Sequence, residues 1–121
     1  MVFLVVTTRA DRIAEFTAGL ASTGAEFFLA ESATAALDMA AALKPDLVIA
    51  DETMTGGPAL AFVRKLLTVN AMITTAVVSS LSEEAFHEAS EGLGVLARIP
   101  VEPTRRDGEE LAGKLRRLLL G

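Results

Sequence analysis

The chain has 121 residues with no cysteine, a formal net charge of −5 and 51% hydrophobic residues, enough apolar material for the core of one domain spanning residues 1–121. The missing cysteines exclude disulfides and cysteine-based zinc sites, and the negative charge argues against nucleic acid as the main partner. No apolar run approaches the length of a membrane span, and the first residues lack the basic start of a signal peptide, so we expect a cytoplasmic protein that does not bind membranes.

Apolar residues in the first half of the chain alternate between short runs and helical spacing. The helical spacing predicts a helix over residues 11–23 that ends at Gly24. A second, alanine-rich helix is predicted after Ser32, whose hydroxyl suits an N-cap. This helix is expected to end before Pro45, because the residue that precedes a proline disfavours helical geometry. The short runs predict buried strands at residues 3–6, 25–30 and 47–50.

The second half of the chain repeats this alternation. Pro58 is expected in the first turn of a third helix, and Ser82 is expected to open a fourth helix that buries Ala89. Asp107 is predicted to cap a fifth helix, whose apolar face includes Leu118. The predicted strands of this half are residues 75–78 and 95–99.

Five short apolar strands that alternate with five helices indicate an α/β fold of three layers, in which helices cover both faces of a parallel sheet. The carboxyl ends of the strands gather at one end of such a sheet, where ligands bind. Here the third strand runs into Asp51, whereas Thr7 and Thr8 follow the first strand. One acid beside neutral hydroxyls is a poor set of ligands for a divalent cation.

Four segments of the chain are similar to those of a known family. One of them carries the pattern Pro-Asp-Leu-Val-Ile-x-Asp at residues 45–51. Together with the lengths of the elements, the segments resemble the CheY-like receiver domain of two-component response regulators over essentially the whole chain. The resemblance implies a flavodoxin-like fold with a five-stranded parallel sheet of order 2-1-3-4-5 and five helices. The four segments are residues 3–6, 44–51, 76–80 and 98–101.

In that family, a histidine kinase supplies a phosphoryl group to the aspartate at the end of the third strand, which Asp51 matches. Mg²⁺ is held by this aspartate, by acids at the positions of Thr7 and Thr8, and by a backbone carbonyl at the position of Thr53. Because both acids are replaced here, the resemblance implies no bound cofactor, or at most a weak Mg²⁺ site at Asp51. We expect no catalytic residues and no enzymatic activity.

The family's phosphate-binding lysine is also replaced, because Ile99 stands directly before the proline that follows the fifth strand. Its loss removes positive charge that would stabilise the transition state of phosphoryl transfer. Arg9 and Glu52 are the candidates to compensate, and the Arg9 guanidinium is expected to pair with Asp51 or Glu52. The neighbouring Arg98 is expected to face the other side of the sheet.

The family's conformational switch couples a hydroxyl at the end of the fourth strand to an aromatic residue on the fifth strand. Ser79 matches the hydroxyl, whereas Leu96 stands in the aromatic position. Without a ring that moves between two rotamers, the usual readout of phosphorylation lacks one half of its mechanism. The sequence therefore predicts an atypical receiver, or pseudo-receiver, with impaired phosphorylation and impaired switching.

Three functions remain open at this point. The first is a signalling module that binds a histidine kinase or another signalling protein, with a homodimer or partner contact through the fourth helix, fifth strand and fifth helix. The second is a working response regulator phosphorylated on Asp51 by a histidine kinase. The third is a flavodoxin-like binder of a small molecule, which is disfavoured because the chain has no Trp or Tyr and no phosphate-binding loop.

Overall fold

Five parallel strands form one sheet in the computed structural model, which describes residues 1–120. The strand order is 2-1-3-4-5; four α-helices connect the strands and a fifth follows the last strand, which confirms the predicted fold. Within residues 1–120, no helix is both long and apolar enough to cross a membrane. The strands are β1 (Val2–Val6), β2 (Glu26–Ala30), β3 (Leu47–Asp51), β4 (Thr74–Val78) and β5 (Ala97–Ile99). The helices are α1 (Ala14–Leu20), α2 (Ala33–Leu43), α3 (Ala59–Val69), α4 (Glu83–Ala89) and α5 (Arg105–Leu120).

The central strand β3 is buried along its whole length because helices cover both faces of the sheet. Its side chains alternate between two apolar clusters. Val48 and Ala50 pack in the cluster formed with α2, α3 and α4, whereas Leu47 and Ile49 pack in the cluster formed with α1 and α5. This alternation places Asp51, the last residue of β3, on the side of α1 and α5.

Two glycines allow α1 and α5 to pack backbone against backbone. A Cβ atom at Gly19 would collide with the carbonyl oxygen of Arg105, and a Cβ atom at Gly108 would collide with the carbonyl oxygen of Phe16. Glycine in a helix interior costs up to about 1 kcal/mol relative to alanine. The close crossing of the two helices requires glycine at both positions in spite of this cost. The crossing fixes the position of α1 against the sheet.

The structure corrects several predicted details. β5 is shorter than predicted: it first pairs with β4 at Ala97, after a loop in which Gly92 and Gly94 have positive φ angles. The first helix is also shorter: α1 ends at Leu20, and a 3-10 turn leads from it to Gly24. α4 ends at Ala89, so no further turn of the helix covers this residue. Ala89 is therefore exposed.

The start and the end of α5 also differ from the prediction. The helix begins at Arg105, two residues before the predicted cap. Thr104 caps it instead: its hydroxyl accepts a hydrogen bond from the Asp107 amide at 3.1 Å, and the Asp107 carboxylate accepts one from the Thr104 amide at 2.8 Å. This reciprocal arrangement is a capping box. Leu118 is 53% exposed, and Leu119 and Leu120 beside it are exposed too, so the last turn of α5 lies outside the apolar core.

Candidate functional site

The site lies where β1 and β3 end side by side. Val6 pairs with Ala50 in the sheet, so the next residues, Thr7 and Asp51, are neighbours. Asp51 is fully buried and Thr7 is 2% exposed. The Thr7 hydroxyl donates a hydrogen bond of 2.8 Å to Oδ2 of Asp51. A buried carboxylate needs such donors, because it has lost its hydration.

Arg9 supplies the positive charge that faces Asp51. Its Nε atom lies 2.8 Å from Oδ2, and its Nη2 atom lies 3.2 Å from Oδ1, so the guanidinium holds the carboxylate through both oxygens. The Arg9 side chain is only 14% exposed. The Arg9 amide also donates to the Thr7 hydroxyl at 3.0 Å, which orients that hydroxyl toward Asp51. Bidentate pairs of this kind are among the stronger hydrogen-bonded contacts in proteins.

Thr53 completes the shell around the carboxylate. Its hydroxyl lies 3.1 Å from Oδ2 of Asp51, and its amide lies 3.4 Å from Oδ1. Three donors therefore reach Oδ2 and two reach Oδ1. An ionised carboxylate offers about four lone-pair positions. The acceptor capacity of Asp51 is fully used by residues of its own chain.

These contacts determine the protonation of the pair. Burial is the largest influence on Asp51 and acts to raise its pKa, but the hydrogen bonds from Arg9 and Thr7, with the charge of Arg9, outweigh it together, so its pKa lies below the ordinary value. The hydrogen bond to Asp51 in turn raises the pKa of Arg9. Asp51 is therefore an anion and Arg9 a cation at neutral pH.

The residues of this site do not fit Mg²⁺. The Thr53 carbonyl, at the position of a metal ligand in the family, accepts a hydrogen bond of 3.1 Å from the Thr8 hydroxyl. Both oxygens of Asp51 face Arg9, whose positive charge would repel a metal ion. Among residues 1–120, no three acidic, histidine or cysteine side chains group together as a metal site would require. A site for Mg²⁺ usually supplies one or two carboxylates that are free to coordinate the ion, whereas Arg9 already engages both oxygens of Asp51.

Glu52 and Ser79 lie near Asp51 but are engaged elsewhere. The Glu52 carboxylate accepts hydrogen bonds from the amide and the hydroxyl of Ser80, at 2.9 and 3.0 Å. The Ser79 hydroxyl accepts a bond of 3.2 Å from the Leu81 amide. The ion pair of Arg9 thus forms with Asp51, and Glu52 instead ties the end of β3 to the end of β4.

The two positions predicted on β5 lie on opposite faces of the sheet. Ile99 is 4% exposed and packs in the apolar cluster of α1 and α5, so it brings no charge to the site. Arg98 lies on the other face, as alternation requires, and donates to the Ser79 carbonyl at 3.2 Å and to Glu83 at 3.1 Å. Leu96 lies before β5 and packs, partly buried, against the same cluster as Ile99.

Two contributions to the site were not predicted from the sequence. One is the Thr53 hydroxyl, because only its carbonyl was considered. The other is Glu102, which lies 3.7 Å from Nη1 of Arg9 and 3.0 Å from Nη2 of Arg12. Glu102 comes shortly after β5, at the same end of the sheet as the site, and this position could have indicated its proximity. Glu102 adds a second negative charge on the outer side of Arg9.

A cleft of about 430 Å³ adjoins the site, between the loops that follow β3 and β4. Glu52, Thr53, Ser79 and Ser80 contribute its polar wall, whereas Asp51, Thr7 and Arg9 do not line it. A molecule in the cleft would meet Thr53 and Glu52 before it reached the Asp51 carboxylate. The carboxylate is closed off by its own hydrogen-bond partners.

Comparisons with known proteins bear on the fold. No protein-family model matches the sequence, and no curated protein matches it in sequence. Among solved structures, the REC domain of AraT, a response regulator from Geobacillus stearothermophilus, is 16% identical with a TM-score of 0.84, covering 98% of this chain and 95% of that chain. A CheY-like response regulator receiver domain protein from Methanospirillum hungatei is 18% identical with a TM-score of 0.81, covering 98% and 96%.

A two-component response regulator from Clostridium difficile is 15% identical, with a TM-score of 0.81 and 98% of both chains covered. Identities at this level show the fold and leave the chemistry to the residues of the site. The likeness extends over nearly the full length in each case, which confirms the resemblance seen in the sequence. This chain has the CheY-like receiver-domain fold of response regulators.

Proposed function

We propose that this protein is a pseudo-receiver, a protein-interaction module of two-component signalling that works without Mg²⁺-dependent phosphorylation of Asp51. The observation that carries the proposal is the bidentate pair of Arg9 with Asp51, at 2.8 and 3.2 Å, on a fully buried carboxylate. In this proposal the guanidinium of Arg9 takes the place of the metal ion and holds the carboxylate permanently in its ionised form.

Phosphorylation would require an Asp51 oxygen to attack phosphorus in line with the leaving group. Each oxygen already accepts two or three hydrogen bonds, so the attack would first have to break bonds to Arg9. Phosphoryl transfer also depends on cations that neutralise the phosphoryl oxygens. Ile99 supplies none, and Arg9 is committed to the carboxylate. These features support slow or absent phosphorylation.

We propose that the partner is a histidine kinase or another signalling protein, recognised through the face formed by α4, β5 and α5. Arg98 on β5 donates to the Ser79 carbonyl and to Glu83 of α4, which joins two of the three elements of this face, β5 and α4. Leu96 supplies no switching ring. The face therefore has one arrangement, and binding to it, including homodimer formation, is expected to be independent of phosphorylation.

The second candidate function is a working phosphoacceptor, which one observation favours: a guanidinium already lies beside Asp51. In that case Arg9 would leave the carboxylate during transfer and bind the phosphoryl oxygens. Guanidinium groups bind phosphate well, so the chemistry is sound. The cost is that Asp51 must give up its bidentate partner before the reaction.

The experiment that separates the two incubates the purified protein with acetyl phosphate and Mg²⁺ and measures its intact mass. The pseudo-receiver proposal predicts no phosphoryl adduct on the wild-type protein. A variant carrying Thr7→Asp, Thr8→Asp, Arg9→Ala and Ile99→Lys restores the family's ligands and serves as the positive control. A stoichiometric adduct on the wild type that is lost in Asp51→Asn would refute the proposal in favour of the second candidate.

A further inference from the structure

The strand β2 is an edge of the sheet and is not covered. It pairs with β1 on one side only. Four of its five residues, Glu26-Phe27-Phe28-Leu29-Ala30, are hydrophobic, and it contains neither lysine nor proline. Leu29 is 57% exposed. Lysine and proline usually protect edge strands, because an unprotected apolar edge pairs with other chains.

The backbone of β2 offers two residues for pairing. The Glu26 amide donates to the Met1 carbonyl, and the Ala30 carbonyl accepts from the Thr7 amide, so both residues turn their polar groups toward β1. Alternation along a parallel strand then turns the N–H and C=O groups of Phe27 and Leu29 toward the open side. These are two donors and two acceptors on an edge that no strand among residues 1–120 covers.

The same two residues line an apolar groove of about 430 Å³ between β2 and α1. The Phe27 ring is held in place by an edge-to-face contact with Phe3, at 5.5 Å between ring centres. Across the groove, α1 and its flanking turns present small side chains, among them Ala14 and Ala18. Because Gly19 and Gly108 hold α1 against α5, the helix cannot easily move to close the groove.

Charge selects the kind of segment that fits this edge. Glu26 begins β2 and Glu31 follows it, and both are exposed. Neither forms a salt bridge within the part of the chain that the structure describes, residues 1–120. A carboxylate at each end of an apolar edge complements a segment whose two ends are basic.

We propose that the β2 edge binds an extended segment of a partner protein as a sixth strand, with apolar side chains at alternate positions and lysine or arginine at both ends. Main-chain hydrogen bonds to Phe27 and Leu29 would supply affinity, and the apolar side chains would enter the groove. The inference rests on the proposed role as an interaction module, but it adds a surface separate from the α4, β5 and α5 face.

A second copy of this chain fits the edge less well. If two β2 strands paired antiparallel, each end of the seam would gather Glu26 of one copy and Glu31 of the other, on opposite faces of the sheet. The seam would then carry four carboxylates, whose mutual repulsion opposes pairing. The charge pattern therefore favours a basic partner segment over a homodimer at this edge.

The test uses a fluorescent peptide in which valine and threonine alternate between paired terminal lysines, and fluorescence anisotropy measures its binding to the full-length protein. The wild-type protein is expected to bind it saturably. Leu29→Lys should weaken binding by at least about tenfold, because it places a cation on the exposed apolar centre of the edge. Met72→Lys is the matched control, since Met72 is 87% exposed in a loop beside β4, and this variant should bind within about twofold of the wild type.

Two modified peptides sharpen the test. Methylation of the peptide nitrogens that face β2 should abolish binding, whereas methylation of the alternate nitrogens should not. Replacing the terminal lysines with glutamates should weaken binding about tenfold at low salt, and the difference should shrink at high salt.

The proposal is wrong if the lysine-flanked peptide does not bind, or if Leu29→Lys binds it as well as the wild type does. It is also wrong if sedimentation shows a wild-type dimer that Leu29→Lys disrupts, because a second copy would then be the occupant. None of these outcomes depends on Asp51. The acetyl phosphate experiment can therefore fail or succeed separately.

Discussion

The end of β3 and the edge of β2 differ in how far their residues are closed off from solvent. At the end of β3, Asp51 is fully buried and every acceptor position is filled by Thr7, Arg9 and Thr53. At the edge of β2, Leu29 and the outward backbone groups remain open to solvent. The fold has closed the place where receivers carry out chemistry and has left a different surface available. This contrast agrees with the proposed function, an interaction module without phosphorylation of Asp51.

The largest effect is expected from breaking the buried pair. Arg9→Met would leave the Asp51 carboxylate buried without its counterion and should lower the free energy of unfolding by about 3–5 kcal/mol. Urea denaturation at neutral pH measures this as a lower midpoint at an unchanged slope.

The matched control is Arg12→Met, because Arg12 pairs with Glu102 at 3.0 Å while both side chains are more than 60% exposed. An exposed pair contributes about 0–1 kcal/mol, so its loss should be small. Equal losses in the two variants would show that the Arg9 pair is no more than another surface contact, and the contrast between the closed site and open edge would disappear.

The next effect concerns the close crossing of α1 with α5. Gly108→Ala should destabilise the protein by about 1–3 kcal/mol, because the added methyl group collides with the Phe16 carbonyl and forces α1 and α5 apart. Thermal or urea denaturation measures the change.

Gly113→Ala provides the control on the same helix. A Cβ atom there would meet only Nη1 of Arg117, at 3.6 Å, which is an ordinary contact. This variant should gain up to about 1 kcal/mol from helix propensity. If both glycines respond with the same sign, the close crossing does not hold α1 in place and the groove beside β2 is not rigid.

The pH dependence of stability tests the ion pair of Arg9 with Asp51. The pKa of Asp51 is lowered from its ordinary value of 3.8, so its ionised form stabilises the folded protein above that value. This contribution is lost as the pH falls through the lowered pKa. The difference in unfolding free energy between wild type and Asp51→Asn should be constant from about pH 8 to 5 and should shrink below about pH 4. A stability difference that grows as the pH falls would be the opposite of this expectation and would contradict the ion pair.

The smallest effect is expected at Ser79. Ser79→Ala removes one acceptor for the Leu81 amide, at 3.2 Å, and should cost about 0.5–1.5 kcal/mol. Binding through the α4, β5 and α5 face should not change, because the proposed function couples no switch to this hydroxyl. A partner affinity that falls markedly in Ser79→Ala, measured by titration calorimetry, would indicate that a switch is present.

Much of this molecule was predictable from its sequence, because apolar periodicity marks buried strands and amphipathic helices reliably. The pairing of β1 with β3 then places Thr7 next to Asp51 without further information. The partner of Arg9 was not decided by sequence, since both Asp51 and Glu52 were within reach of its side chain. In the structure, Ser80 engages Glu52, and that contact depends on where β4 ends in space.

The features that sequence reasoning missed depend on tertiary distances. Glu102 lies beside Arg9 only because the loops after β1 and β5 approach each other. The groove at β2 arises from the position of α1. That position is set by the close contact between Gly19 of α1 and Gly108 of α5. The start of α5 at Arg105 depends on the reciprocal bonds of Thr104 and Asp107, a spacing that was available in the sequence and was not used.

In the proposed function, Arg9 permanently occupies the cation position beside Asp51. Nuclear magnetic resonance tests it most directly, by following the Arg9 Nε–H signal and the amides of Thr8 and Thr53 while Mg²⁺ and beryllofluoride are added. If Arg9 stays on Asp51, its Nε–H signal should remain protected, and the amides of Thr8 and Thr53 should show no saturable shift as Mg²⁺ and beryllofluoride are added. Saturable shifts of these amides, accompanied by loss of the protected Arg9 signal, would show that the site opens to admit the metal and the phosphoryl mimic.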